Sequence, residues 1–140
     1  MKVIFEEDVW EPLVEILRDE LQESGALYKM LNDQRNYLRN RDVEGAKEIE
    51  VCIDEQIQKR GLARKKREAL IGQLAAKAGV DRKTPLLNLL LYFPEFVRPL
   101  LEAMAIESDQ MMVKIRWRGR QNRLLRASMA LGSTKKSSVL

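Results

Sequence analysis

One long helical pattern with apolar side chains on two opposite faces, over residues 94–131, constrains this chain more than any other feature. A first stripe repeats at steps that keep its members on one face of a helix. This first stripe consists of Val97, Leu101, Met104, Met111, Ile115, Leu125 and Met129. A second stripe lies about 200° round the helix at 3.6 residues per turn. This second stripe consists of Ile106, Val113, Trp117, Leu124 and Leu131. We expect the first stripe to face the core, and the second either to pack on a neighbour or to bind a partner.

The composition predicts helices around one core. Charged residues make up 33% of the chain and hydrophobic residues 45%, with only four prolines and seven glycines among 140 residues. Such a balance is typical of helical bundles and not of disorder. We therefore predict an all-α fold, an antiparallel bundle of three long helices with a short apolar helix before the last one. Residues 8–131 form the single helical-bundle domain, and residues 132–140 form a flexible polar tail.

The first predicted helix begins within residues 8–12 and ends near residue 40. Its apolar positions alternate steps of three and four, as in the seam of a coiled coil, with Ser24 and Arg35 in the gaps. The seam consists of Trp10, Val14, Leu17, Leu21, Tyr28, Leu31 and Leu38. Additional apolar residues widen this stripe, so we expect the first helix to contact two neighbours.

The second predicted helix spans residues 43–78, with Asp42 as its N-cap and Gly79 after its end. Its inward positions become Arg60, Arg64 and Arg67 in the middle, so we expect this helix to depend on packing against the others. A short, almost entirely apolar helix is predicted over residues 86–93. We expect it to cover one end of the bundle.

Residue types that carry most catalysis are missing. The chain has no His and a single Cys, Cys52, which excludes an internal disulfide and leaves no plausible zinc site. Cys52 is expected to be a small buried thiol on a regular helix. Phosphate-binding and dinucleotide-binding motifs are absent from the sequence. We predict a protein without catalytic residues, metal or cofactor. Because no signal peptide or membrane-spanning run is present, we also expect it to be soluble and cytoplasmic.

Basic residues cluster in two places, and each cluster has more than one interpretation. The first lies between residues 60 and 67, and the second consists of Arg116, Arg118, Arg120, Arg123 and Arg126. Arginine clusters bind nucleic acid by neutralising phosphates, but they also form solvated faces or ion pairs with acids of the first helix. Trp117 fits either an interface hot spot or packing on a neighbouring helix.

The order of these segments resembles the FlgN family of flagellar type III export chaperones. The resemblance covers residues 10–131. It includes WEPLVEILRDELQESGALYKML, AKEIEVCIDEQIQKRGLARKKREALIGQLAAKAG, the apolar segment that follows, and RGRQNRLLRASMAL. The last helix in that family often carries two Asn residues three apart, followed by Leu. Asn122 with Leu124 and Leu125 matches the second Asn and its successors, whereas Gly119 occupies the first Asn position.

The resemblance implies a small chaperone that binds the C-terminal helical segments of the hook-filament junction proteins FlgK and FlgL. It would escort them to components of the flagellar export gate, with no small-molecule substrate and no membrane insertion. We expect the second stripe to be the binding groove, in which an amphipathic segment of the partner would bury its apolar face. Ile106, Val113, Trp117 and Leu124 would supply apolar contact. Arg116, Arg120 and Asn122 would orient the partner.

Two other functions fit the same sequence. A structural helical adaptor would pack permanently into a coiled-coil assembly and bury both stripes of the last helix in a constitutive oligomer. A nucleic-acid-binding protein, which we regard as the weaker alternative, would bind with an affinity that falls steeply as salt increases. A chaperone contact built on Trp117 and leucines would depend much less on salt.

Overall fold

The computed structural model describes residues 4–139, with side chains described as far as residue 130, and this part of the chain is all-α. Its long helices are α1 (Glu7–Arg39), α2 (Val43–Lys77) and α3 (Arg98–Val139). A 3₁₀ helix, Leu86–Tyr92, lies between α2 and α3. The three long helices pack together, which confirms the predicted helical bundle.

Helix α1 is the centre of the bundle, because both α2 and α3 pack closely along it while α2 and α3 approach each other much less. On the α2 side, Ser24 contacts Arg60 and Glu20 contacts Arg67. Earlier residues of α1 therefore meet later residues of α2. The prediction that the first helix has two neighbours is confirmed.

The order of contacts is the opposite on the α3 side of α1. Glu20 contacts Ser108, and Leu31, further along α1, contacts Asn122, which is further along α3. Later residues of α1 therefore meet later residues of α3. Because α2 and α3 lie on different sides of α1, they leave space between them.

Apolar side chains bury in two clusters. The larger joins the first half of α1, the second half of α2, the 3₁₀ helix and the start of α3. Its most enclosed members are Leu13, Leu17, Ala75, Leu89, Phe93 and Leu101. The smaller cluster contains Leu27, Leu31 and Ile53, with Ile115 packed against it. The first stripe behaves as predicted at Val97, Leu101 and Met104, which are buried, and its later members are half-buried.

The short apolar segment covers one end of the bundle as predicted, but it forms a 3₁₀ helix and not an α-helix. The amide of Asn88 donates to the carbonyl of Pro85 and that of Phe93 to Leu90, at 2.9 and 3.1 Å. Seven residues are helical here, between Pro85 and Pro94, and their hydrogen bonds span three residues, as in a 3₁₀ helix. Leu89 is fully buried, whereas Leu87 and Leu91 are exposed.

The predicted helix ends are mostly close to those observed. Asp42 caps α2 by accepting a hydrogen bond from the Gly45 amide at 2.9 Å, and Gly79 has a φ of 75°, as expected after a helix. Helix α1 starts at Glu7, one residue before the predicted window. Helix α3 starts at Arg98, because residues 94–97 form a turn.

Some predictions for the chain ends concern residues that are described only in part. Helix α3 continues to Val139, beyond the predicted domain boundary at residue 131. The side chains of the predicted tail, residues 132–140, lie outside the described residues, as does that of Leu131. The flexible tail therefore stays a prediction.

The prediction that Cys52 is buried is wrong. Cys52 is exposed, and Ile57 keeps 52% of its surface accessible. The inward face of α2 is instead formed by Ile53 and Gln56, so residues immediately beside them turn away from α1. Because Gln56 is polar, the sequence pattern did not identify it as a member of the buried face of α2.

Glycines inside helices provide a test of the packing. A Cβ added at Gly25 in α1 would meet no atom within 4 Å. We expect Gly25→Ala to raise the free energy of unfolding by about 1 kcal/mol, because alanine has the higher helix propensity.

At Gly45, a Cβ would lie 2.6 Å from Tyr37 Cδ1 and 2.7 Å from Asp42 Oδ2. Gly45→Ala should therefore lower the free energy of unfolding. Urea titration measures both variants, and a gain equal to that of Gly25→Ala would contradict this packing.

Candidate partner-binding surface

A buried carboxylate joins the three long helices and sets the position of α3. Glu20 of α1 keeps 1% of its surface accessible. Its Oε1 accepts a hydrogen bond from Ser108 Oγ of α3 at 2.9 Å, and its Oε2 lies 2.8 Å from Arg67 Nε of α2. Neither Oε2 nor this Nε has an aligned hydrogen-bond partner within the described residues, so the contact between them is an ion pair. The hydrogen bond from Ser108 therefore fixes which face of α3 packs against α1.

Further polar contacts follow along α1 and α2. Arg60 Nε donates to Ser24 Oγ at 2.9 Å, and Gln56 Nε2 donates to the Glu23 carbonyl at 3.0 Å. Burial lowers the pKa of Arg60, and repulsion by Arg64 adds to the effect. The first basic cluster thus contributes contacts with α1, which is the structural interpretation that the sequence left open.

Asn122 lies on the inner face of α3 and not on the second stripe. It is buried, and its Nδ2 donates to the Leu31 carbonyl and to Gln34 Oε1, both at 2.9 Å. At 100° per residue, Asn122 lies about 140° round the helix from Trp117. Its predicted role in orienting a partner at the second stripe does not fit this position. Asn122 instead docks α3 on the second half of α1.

The second stripe is exposed along the outer side of α3. Ile106 keeps 41% of its surface accessible, Val113 66%, Trp117 59% and Leu124 63%. These side chains fall within about 40° of one another round the helix axis. Ser108 and Asn122 point the opposite way, so the contacts that dock α3 use none of the four. Large apolar side chains concentrated on one exposed helix face are typical of interaction sites.

Some arginines of the second cluster contact other residues of the protein, and others are exposed. Arg126 pairs with Glu50 of α2 at 3.1 Å, and Arg118 donates to Gln121 at 2.9 Å. The Arg118 guanidinium also lies 6.0 Å from the centre of the Tyr28 ring. Arg116 and Arg120 are exposed. The two arginines predicted to orient a partner are therefore accessible.

A groove that the sequence did not reveal lies between α2 and α3, over the second half of α1. Its volume is about 490 Å³. Leu27, Leu31, Ile53 and Ile115 contribute apolar lining, while Glu50 and Asp54 line the α2 side and Arg116 and Arg123 the α3 side. No local pattern could predict this groove, because it depends on how far apart α1 holds the other two helices.

The residues described here contain neither a metal cluster nor a spanning helix. Within residues 4–139, no group of three or more His, Cys, Asp or Glu side chains is placed to hold a metal ion. In the same part of the chain, no helix combines the length and the hydrophobicity needed to cross a bilayer.

Comparison with known proteins finds no matching family, no similar curated protein and no similar solved structure. Function must therefore be inferred from the chain's own residues and their geometry. Of the predicted partner-binding residues, Asn122 is buried on the inner side of α3, Arg116 and Arg120 are exposed beside the second stripe, and the four apolar residues share the outer side.

The ion pair beneath this surface can be tested by mutation. We expect Arg67→Ala to lower the free energy of unfolding by about 3 kcal/mol, because it leaves the Glu20 carboxylate buried without its cation. Replacing both groups, as Glu20→Leu with Arg67→Met, should restore stability to within about 1 kcal/mol of the original chain. Chemical denaturation followed by circular dichroism measures both.

Arg64→Ala is the matched control for Arg67→Ala. Arg64 is on the same helix, pairs with Glu68 at 3.2 Å on a partly exposed surface, and contacts Met112 Sδ of α3 at 3.5 Å. Exposed pairs of this kind contribute about 0.5 kcal/mol. Equal losses in Arg64→Ala and Arg67→Ala would contradict a special role for the buried pair.

Proposed function

We propose that this protein is a cytoplasmic flagellar export chaperone of the FlgN type. It binds the C-terminal helical segments of the junction proteins FlgK and FlgL and escorts them to the export gate. The observation that carries this proposal is the exposed row of Ile106, Val113, Trp117 and Leu124 on the outer side of α3. The proposed function involves no catalysis, cofactor or small-molecule substrate.

The exposed row has the chemistry needed to hold an amphipathic helix. Burying one large apolar side chain contributes about 1.5–3 kcal/mol, so a few such contacts are enough for binding after the entropic cost of association. Trp117 lies in the middle of the row, where hot-spot residues concentrate. A helix whose own apolar stripe is hidden here cannot associate with other copies, which is what a chaperone for filament subunits must achieve.

The arginines beside the row provide orientation. Arg120 lies about 60° and Arg116 about 100° from Trp117 round the helix axis, both on the same side. An amphipathic helix with acidic residues along the matching edge would be held in one orientation, because rim charges contribute to specificity and association rate. Asn122 has no part in this proposal.

The scaffold supports the proposed role of α3. We take α1 and α2 as antiparallel and α3 as running with α1, an arrangement that the order of their contacts supports. Buried polar contacts at Ser108 and Asn122 hold the inner face of α3 along α1. The outer face is then available to a partner without any loss of core contacts.

A structural helical adaptor is the second candidate, and exposed apolar residues on α2 favour it. Val51 keeps 60% and Leu62 61% of their surface accessible. A permanent assembly would cover these residues as well as the second stripe. Sedimentation separates the two functions, because the adaptor is a constitutive oligomer and the chaperone exists free.

Trp117→Ala tests the proposed surface. We expect it to weaken binding of a junction-protein C-terminal segment at least tenfold, because hot-spot truncations cost about 2 kcal/mol or more. The free energy of unfolding should change by less than about 0.5 kcal/mol, since the side chain is exposed. Titration calorimetry with the purified segment measures the affinity.

The matched control for Trp117→Ala is Leu62→Ala, which removes a comparably exposed apolar side chain from α2. It should leave the affinity within twofold of the original. The proposal would be wrong if Trp117→Ala also stayed within twofold, or if both variants weakened binding equally.

Salt dependence separates the chaperone from the nucleic-acid alternative. We expect affinity for the junction-protein segment to change less than tenfold between 50 and 200 mM salt, because the contact is mainly apolar. Binding through six or more phosphates would fall by about 10³-fold or more over this range. Fluorescence anisotropy with a labelled segment and a labelled single-stranded RNA measures both, and a tighter, steeply salt-dependent RNA complex would favour the alternative.

A further inference from the structure

The space between α2 and α3 is open in more than one place along the bundle. Near the 3₁₀ helix, the connecting chain from Arg82 to Leu87 lines a cavity of about 430 Å³ together with Arg67 of α2 and Ala105 of α3. Beside the second half of α1, the groove of about 490 Å³ is lined only by the three long helices. A further helix lying there would meet no connecting segment.

The open groove has defined ends and an apolar floor. Arg64 Nη1 contacts Met112 Sδ at 3.5 Å at one end, and Arg126 pairs with Glu50 at 3.1 Å at the other. Between Met112 and Arg126, α3 extends about 21 Å at 1.5 Å per residue, which equals about 14 residues of an accompanying helix. Ile57, which is exposed, and the apolar floor would contact an occupant.

The unpaired charges of the two walls are opposite, since Arg60 on the α2 side is bonded to Ser24 and Arg126 on the α3 side pairs with Glu50. Glu50 and Asp54 line the α2 side, and Arg116 and Arg123 line the α3 side. Within residues 4–130, Asp54, Arg116 and Arg123 form no salt bridge. An occupant with one basic and one acidic flank would pair with both walls, whereas a polyanion would be repelled by the α2 wall.

We propose that the groove between α2 and α3 binds one amphipathic helix of another protein. This helix has a narrow apolar edge of about 14 residues, basic side chains along the flank that faces α2, and acidic side chains along the flank that faces α3. Its binding completes a four-helix arrangement at this end of the bundle. The groove goes beyond the proposed function, because it is a second docking site beside the second stripe, with which it shares Arg116 but no apolar residue.

Three designed helical peptides test the charge requirement. They share one leucine and alanine edge and differ in their flanks, which carry Lys on one side and Glu on the other, Lys on both, or Glu on both. We expect the mixed peptide to bind the full-length protein about tenfold more tightly than either of the others, because each uniform peptide places like charges against one wall. Fluorescence anisotropy at 150 mM salt measures the affinities.

Charge reversal in the protein should reverse this preference. With Arg116→Glu and Arg123→Glu, both walls are acidic, so the peptide with Lys on both flanks should bind most tightly. Lys114→Glu is the control, since Lys114 is exposed on the same helix and does not line the groove. It should leave the mixed peptide preferred.

The α2 wall is tested in the same way. Asp54→Lys should weaken the mixed peptide and favour the peptide with Glu on both flanks. Glu55→Lys, the control, changes an exposed neighbour outside the groove and should have no such effect. Circular dichroism verifies that these surface variants keep their helices.

Several outcomes would overturn the inference. Equal affinity for the three peptides, or an unchanged preference after wall reversal, would show that the groove does not select the occupant. Loss of the mixed peptide in Trp117→Ala would place the peptide on the second stripe. A dimer of this chain that Asp54→Lys dissociates would make a second copy the occupant. None of these results depends on whether a junction-protein segment binds the second stripe, so the two proposals fail separately.

Discussion

One buried carboxylate aligns the three long helices of the bundle. Glu20 is the point at which α1 meets both neighbours, through the Ser108 hydroxyl at 2.9 Å and the Arg67 guanidinium at 2.8 Å. A charge buried this deeply is costly without these partners, so shifting α2 or α3 along α1 would separate the carboxylate from them. The contact therefore favours one register for the three helices. Along α1, Glu20 also lies between the residues of the two apolar clusters.

The position of α1 determines which surfaces remain open. Because α2 and α3 both pack on α1, neither buries the other, and a groove remains between them over the second half of α1. Buried polar contacts at Ser108 and Asn122 fix the inner face of α3, and its outer face retains the row centred on Trp117. One scaffold thus presents an apolar surface on α3 and a charged groove beside it.

Hydrophobic periodicity predicted much of this structure. The long helices, the cap at Asp42 and the inward direction of the first stripe follow from local rules of helix geometry and capping. The errors lie where polar side chains replace apolar ones on the inner face. Gln56 and Asn122 are buried by partners on α1, which no pattern within their own helices reveals. The groove was also beyond prediction, since it depends on the separation of two helices that hardly touch.

Photo-crosslinking from position 113 tests the central claim most directly, namely that the outer side of α3 binds an exported helical segment. A photoreactive amino acid replaces Val113, which is 66% exposed, and a second variant carries it at Leu62 of α2. We predict that position 113 forms a covalent adduct with the C-terminal segment of a hook-filament junction protein in cells, and that position 62 does not. Adducts from position 113 only with another copy of this chain, or with a permanent coiled-coil subunit, would contradict it.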